Sequence, residues 1–359
     1  MPGNRITMEV SLINPLNDKS WDDFVLKHKY GSIYHLSNWS SILQKTFSYT
    51  PYYLAMHDNE GKIKAGIPFM LIKSWLTGNR LINLPRLPFC DPLADDDNLP
   101  IFIQLLVGMV KDRKIRYFEI KTQRNKSVYK SVILKSYAGY KNHVLRLDGD
   151  LDEIWKSFDR SCVRQRISKA KKMNVIIREG KDIEDLKIFY SLFKNITEKH
   201  VIPLKPFNYF YNIWEEFHPK GMLTLLIAEV QGEPAATTMS FAFRRTMYYE
   251  YLGLNYNLSN YCPGQLIVWE LIQKSYKEGL ELFDFGVTSL NNPGLIDYKK
   301  RWGAVENDIS YFYYPDVRGY KTFVKRLPDS QKNVSYTFLN NPLNHLKKRI
   351  AEKLCKHFG

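Results

Sequence analysis

Apolar and polar positions along the chain follow two rhythms, helical and strand-like, and these recur in the same order twice. Residues 20–28 and 38–46 carry apolar side chains at helical spacing, and each predicts a short amphipathic helix. Residues 52–56 (YYLAM) then read as a strand, 58–61 (DNEG) as a turn, and 64–73 as the returning strand of a hairpin. A helix is predicted over 99–111, with Ile101, Leu105, Leu106 and Met109 on one stripe, followed by a strand over 116–121. Further on the series starts again, with helices over 183–199 and 206–217 and a hairpin of 223–230 and 235–243 about the turn 231–233. A third strand over 247–252, a helix over 264–279 and a strand over 282–285 complete it. Helix, hairpin, helix, strand written twice predicts an α+β chain of two similar halves, each around a mixed sheet.

Length agrees with that doubling, because 359 residues exceed what one ordinary core organises. The expected division is an N-terminal domain over 1–150, a C-terminal domain over 151–330, and a basic amphipathic segment over 331–359. In that last segment Leu343, Leu346, Ile350, Leu354 and Phe358 form a stripe opposite Lys347, Lys348, Arg349, Lys353 and Lys356. Such a helix either packs on its parent domain or lies on an anionic membrane. The second outcome would give peripheral contact through 343–358 at the inner face of the membrane.

Composition narrows the class further. A hydrophobic content of 44%, with 14% aromatic, belongs to a folded chain, and a formal charge of +15 favours anionic partners such as RNA, nucleotide phosphates or a membrane surface. The four cysteines, Cys90, Cys162, Cys262 and Cys355, lie far apart without metal-site spacing, so neither a disulfide framework nor a bound metal is expected. The first residues lack the apolar run of a secretory signal, and the expectation is a cytoplasmic protein with reduced thiols.

Charge is concentrated in two places. "GLIDYKKRWGA", residues 294–304, sets Lys299, Lys300 and Arg301 beside Trp302, soon after the buried-strand pattern "FDFG". A run of this kind is either a solvated helix start anchored by its tryptophan or part of a site at a strand's exit. The second cluster comprises Lys156, Arg160, Arg164, Arg166, Lys169, Lys171 and Lys172. On a continuous helix Lys156, Arg160 and Arg164 would share one face, suited to an RNA acceptor stem or a coenzyme pyrophosphate. His35 and His200 have no partner visible in sequence, whereas Asp284 and Glu250, on predicted strands, are candidates to take a proton from an attacking amine.

Three stretches carry a family resemblance. "YHLSNWSSILQKTFSYTPYYLAMHDNEGKIKAGIPFMLIKSWLTGNRLINLP" resembles the N-terminal half of FemAB-like proteins, "SCVRQRISKAKKMNV" their basic segment between halves, and "FDFGVTSLNNPGLIDYKKRWGA" their closing motif. The resemblance runs from about Tyr34 to Tyr314. It implies tandem acyltransferase domains of the GNAT type without a coiled-coil insertion, and acyl transfer to an amine. The best-understood relatives move an amino acid from aminoacyl-tRNA onto a peptidoglycan precursor; others are presumed to acylate envelope saccharides. No tightly bound cofactor is implied, only an acyl donor, aminoacyl-tRNA or acyl-CoA, as co-substrate, and an amine acceptor from an envelope precursor.

The same resemblance distributes roles. Lys299 falls at the reacting carbonyl, for oxyanion or donor-phosphate stabilisation, with Tyr298 packed beside it. Arg164, Arg166, Lys169, Lys300 and Arg301 become donor-binding candidates. Lys205 and Tyr209 are similar to the family's R-x-x-x-Y, which grips precursor phosphates, and Tyr251 falls at a substrate-contacting tyrosine. Asp95 aligns with an acidic acceptor residue, while Asp91 stands where relatives carry glycine, and a family lysine after the opening Trp39 is replaced by Leu43 and Gln44. Those departures predict a changed acceptor. The turn 260–265 (NYCPGQ) lacks the glycine-rich pyrophosphate loop of acetyl-CoA enzymes, which weakens a coenzyme A donor and favours aminoacyl-tRNA or an unusual acyl carrier. A non-catalytic RNA- or membrane-binding role on the same fold is the alternative of another class.

Overall fold

The computed structural model describes residues 9–75, 78–124, 126–130, 134–200 and 204–316. They divide into two compact units, one of residues up to 138 together with those from 309, the other of residues 139–308. The expected division near 150 can be set against a separation at 138/139. The basic segment 331–359 lies outside the described residues.

In the first unit, β1 (Glu9–Ile13) leads into α1 (Ser20–Lys27) and α2 (Ser37–Phe47), followed by β2 (Thr50–Pro51), β3 (Tyr53–His57), β4 (Ile63–Ile67), β5 (Met70–Ile72) and β6 (Arg80–Ile82). Then come α3 (Leu99–Lys111), β7 (Tyr117–Thr122) and the short α4 (Lys126–Lys130). The returning strand expected over 64–73 is two strands in different sheets: β4 pairs with β3, and β5 with β2 and β6. Pro68 breaks it, since a residue without an N–H cannot continue the ladder, and its carbonyl instead takes the Asn83 side-chain amide at 2.8 Å. β6 and β7 run parallel, joined through α3. The stripe expected on α3 is also corrected: Leu99, Phe102, Ile103 and Leu106 are buried, while Ile101 and Leu105 face solvent. Phe102, the larger apolar group, takes the core position against Leu81, Phe118 and Ile120.

The second unit begins on β8 (Lys135–Arg146), which the sequence pattern did not announce, and continues through α5 (Leu151–Ser157), a turn of π-helix at Arg160–Arg164 and α6 (Gln165–Lys172). The continuous cationic helix does not form. Phe158 and Asp159 are extended, because Phe158 drives its ring between Trp155, Trp269 and Trp302, and the Asp159 carboxylate caps the next turn through the Cys162 N–H at 2.6 Å. Lys156 therefore shares no helical face with Arg160 and Arg164.

β9 (Ile176–Glu179), α7 (Ile183–Lys199), α8 (Phe207–Phe217), β10 (Leu223–Val230), β11 (Glu233–Phe243), β12 (Thr246–Leu254), α9 (Pro263–Lys277), β13 (Leu282–Ser289), α10 (Pro293–Lys300) and β14 (Val305–Tyr314) complete the chain's described elements. The unit's sheet runs β8-β13-β12-β11-β10-β9, antiparallel except for β12 and β13, which α9 joins in parallel. Each unit thus contains hairpin strands, a helix and a parallel strand in that order, and the fold is the doubled α+β arrangement the sequence predicts. β13 is longer than the expected 282–285, because beyond Asp284 it leaves β12, bulges, and keeps its ladder with β8 from Val287↔Asn142 onward.

Candidate active site

The parallel pair β12 and β13 is hydrogen-bonded only from Thr246↔Leu282 to Tyr248↔Asp284. Past that point each strand bends for its own reason. On β12, Glu250 is the extra residue of a bulge between the pairs Met239↔Tyr251 and Ser240↔Tyr249. On β13, Gly286 sits at φ +73°, a left-handed conformation that side chains resist, opposite the unpaired His143 of β8. The strands splay, and the backbone groups of Gly286 are turned inward. Its N–H donates to the Asp284 carboxylate at 2.7 Å, and its carbonyl accepts from Lys299 Nζ at 2.8 Å.

Lys299 arrives from α10, whose start is fixed by Pro293 and by the Asn292 side chain accepting from the Leu295 N–H. Unlike its neighbours Lys300, exposed, and Arg301, half-buried, Lys299 is 6% exposed. Burial lowers its pKa to about 8, against the charges of Asp284 and Glu250, which favour the cation. Asp284 is itself buried and its carboxyl is pushed up, though the Gly286 N–H, the Asn142 amide at 3.2 Å and the lysine hold it down in part. His143, wholly buried, is lowered to about 4 by burial and then by Lys299, and is neutral near pH 7. The Lys299 ammonium thus stands near two carboxyl groups, an amide and a neutral imidazole.

A second cluster lies within reach of the Glu250 charge, which bears on both Lys299 and Tyr251. Lys205 Nζ donates to the Tyr251 hydroxyl at 3.3 Å and lies over its ring and that of Tyr209, and the two hydroxyls are 3.2 Å apart. Burial raises both Tyr251, whose hydroxyl stays neutral, and Tyr249, a buried hydroxyl with no partner among the described residues. Lys205, Tyr209 and Tyr251 are thus brought together, and Glu250 is near enough for its charge to act on both Tyr251 and Lys299.

The Tyr298 ring lies 6.3 Å from that of Trp302, and its pKa is pushed up to about 12 by burial despite the Arg166 charge nearby. Arg166 and Lys169 are exposed on α6, and Arg164 ends the π-turn with its Nε buried and unpartnered among the described residues. Lys300 is 3.8 Å from Glu306, and Arg301 pairs with Asp297 at 2.7 Å and donates to Cys162 Sγ. Asp95 belongs to the first unit, exposed, with its carbonyl receiving the Asn98 and Leu99 N–H groups at the start of α3. Asp91 there is a loop anchor: its carboxylate accepts from the Thr122 hydroxyl and from the N–H groups of Gln123 and Arg124. His35 is buried between Ser32 and the Asp91 carbonyl at 2.7 Å, which makes it structural. Among the described residues no group of His, Cys, Asp and Glu is arranged to hold a metal ion. Nor is any helix there long and apolar enough to cross a membrane.

Sequence reasoning missed Asn142, His143, Gly286 and Tyr249. Asn142 and His143 lie on the unanticipated β8, and the only signal was two polar side chains inside "YKNHVLRL". Gly286 was visible only as the last letter of "FDFG".

Residues 157–300 match the acetyltransferase (GNAT) domain family. The chain is similar to FemAB-like acyltransferases. A curated relative, the UDP-N-acetylmuramoylpentapeptide-lysine N(6)-alanyltransferase of Weissella viridescens, is 21% identical over 295 residues, covering 77% of this chain and 86% of the relative. Among solved structures, the crystal structure of FemX superposes with a TM-score of 0.70 at 16% identity, over 89% of this chain and 100% of that one. A tandem GNAT protein from the clavulanic acid biosynthesis pathway gives 0.54 at 8% identity, over 85% and 98%.

Proposed function

We propose that the chain transfers an aminoacyl group from a charged tRNA to an amine of a cell-envelope precursor, with Lys299 as the catalytic cation. The observation that carries this reading is the Lys299 ammonium, buried where β12 and β13 part and hydrogen-bonded to the turned-in Gly286 carbonyl. The amine nitrogen attacks the donor carbonyl carbon, a C–N bond forms, and the ester C–O bond to the donor breaks. Charge accumulates on the carbonyl oxygen in between, and a preorganised cation in a dry site stabilises it. The proton released by the amine goes to Glu250, whose charge acts on both Lys299 and Tyr251, and from there to the departing tRNA oxygen, which leaves as a hydroxyl. Tyr298, beside Lys299 on α10, packs against Trp302 and holds the helix in place.

Two features favour tRNA as donor. The exposed Arg166 and Lys169 on α6, with Arg164, Lys300 and Arg301, form a cationic approach on the same unit as Lys299. At the start of α9, Pro263 removes one of the first-turn N–H groups on which a coenzyme A pyrophosphate would rest. Calorimetry of the full chain against charged tRNA, uncharged tRNA and acyl-CoAs at two salt concentrations tests this. Charged tRNA should bind preferentially and weaken as salt rises; saturable, salt-insensitive acyl-CoA binding would replace the tRNA donor with coenzyme A.

Lys205, Tyr209 and Tyr251 take the acceptor's phosphates in this reading, with Asp95 as a further acceptor contact by family alignment. Lys205→Ala should raise the acceptor KM by roughly tenfold to a hundredfold, the worth of one charge-assisted hydrogen bond, with kcat nearly unchanged. Steady-state kinetics read that split, and an unchanged KM would remove Lys205 from the acceptor site.

A further inference from the structure

We infer that the Asp284 carboxylate and the Asn142 side-chain oxygen hold the acceptor's nitrogen as a primary amine, its lone pair directed at the carbonyl beside Lys299. This rests on the transferase reading above and adds to it the groups that position the nucleophile. Paired residues of neighbouring strands share a sheet face, and faces alternate along each strand. Asp284 pairs with Tyr248 of β12 and with Val144 of β8, so the three share a face. Tyr248 and Tyr251 pair with Phe241 and Met239, two residues apart on β11, which returns Tyr251 to that same face beyond the Glu250 bulge. Asn142, two residues before Val144, is on it too, and its Nδ2 donates to Asp284 Oδ2 at 3.2 Å. The other face carries Phe283 and Phe285, packed in one cluster with Tyr298 and Trp302. Lys299 therefore reaches the splay from one side of the sheet, while Asp284 and Asn142 stand on the side of Tyr251 and its partner Lys205.

What this pair offers a ligand is acceptors. Asp284 and Asn142 are both buried, and Asp284 Oδ1 already takes the Gly286 N–H at 2.7 Å. Asn142 spends its amide N–H on Asp284, and its Oδ1 is buried with no partner among the described residues. A buried oxygen left unanswered is costly, and so is a buried carboxylate; an arriving amine relieves both. A neutral primary amine has two N–H groups and one lone pair. With one N–H on Asp284 and the other on Asn142, the lone pair is left for attack, whereas a hydroxyl answers only one of the two oxygens. The acceptor arrives as an ammonium and gives one proton to solvent. The nitrogen then attacks, the C–N bond forms and the ester C–O bond breaks. One N–H proton leaves through Glu250 to the departing oxygen, and the other stays in the amide.

Calorimetry of the full chain without donor, against an amine-bearing peptidoglycan precursor and the same precursor with a hydroxyl in place of that amine, tests the assignment. The wild type should bind the amine form about a hundredfold more tightly, the scale of a charge-assisted hydrogen bond with a second acceptor beside it. Asp284→Asn should bring the two forms close together. Asn142→Leu, which keeps the carboxylate, should weaken the amine form about tenfold and leave the hydroxyl form as it is. The wild-type comparison decides the matter even where a variant does not fold. Equal affinity for the two forms, or no binding of the amine form, would overturn the assignment, and so would a preference that both variants keep. A preference for alanyl-tRNA over its deaminated, lactyl form that Asp284→Asn erases would give the pair to the donor's α-amine and overturn it as well. Amine-dependent binding with no transfer would leave the pair in place and remove the transferase reading, whereas transfer with equal affinity for the two forms would do the reverse.

Discussion

Lys299→Ala should lower kcat by about a hundredfold to a thousandfold while the protein stays folded. Removing one preorganised oxyanion partner costs that much where the site excludes water. The fold should survive because a buried cation is itself unfavourable: burial is the leading cause that lowers this lysine to about 8. The Gly286 carbonyl it leaves is still approached by the His143 ring. The pH dependence adds a second reading of the same group. Below about pH 8 the folded protein holds Lys299 as the cation, so kcat should fall as pH rises through that value, and the falling limb should be missing from the residual rate of Lys299→Ala. Stability should move the other way. Between about 8 and 10.5 the unfolded chain keeps a proton that the folded chain has lost, and this group then adds stability as pH rises through that window. A folded Lys299→Ala protein with full turnover would remove the lysine from catalysis.

Trp302→Ala should destabilise the unit of residues 139–308 by about 3–5 kcal/mol, the usual cost of deleting a buried large aromatic. Trp302 is fully buried, with the rings of Phe158, Phe285 and Tyr298 at 5.2, 6.0 and 6.3 Å. It fixes three elements at once: the extended break after α5, the β13 strand at the splay, and α10 with its lysine. Its neighbour Gly303 stands at φ +73°, where an added Cβ would come within 2.8 Å of the Ser157 hydroxyl. Denaturant unfolding followed by near-ultraviolet circular dichroism should show a lower midpoint, and kcat should fall with it because Lys299 loses its aim. An unchanged midpoint would mean that the aromatic cluster contributes little to placing α10.

The element order was legible because amphipathic rhythm survives folding: the helices at Ile183–Lys199 and Phe207–Phe217 and the hairpin of β10 and β11 stand almost where the pattern put them. What failed was decided by single residues whose tertiary role overrides the local pattern. Pro68 divides a strand, Phe158 leaves a cationic helix to join the core, and Phe102 rather than Ile101 faces inward on α3. The candidate site was half legible. "KKRW" gives no sign that its first lysine is buried and the next exposed, because burial depends on α10 meeting a strand that bends at Gly286. Asn142 and His143 were not legible, since β8 alternates too irregularly to be read as a strand before its partner is known.

The most direct test of the account is transfer itself: labelled acyl group supplied on charged tRNA or on coenzyme A, offered with an amine-bearing envelope precursor to wild-type protein and to Lys299→Ala. The account predicts label in a new amide with the wild type, from charged tRNA in preference to coenzyme A, and a loss of at least a hundredfold in the variant. No amide from either donor, or equal yields from the two proteins, would contradict it.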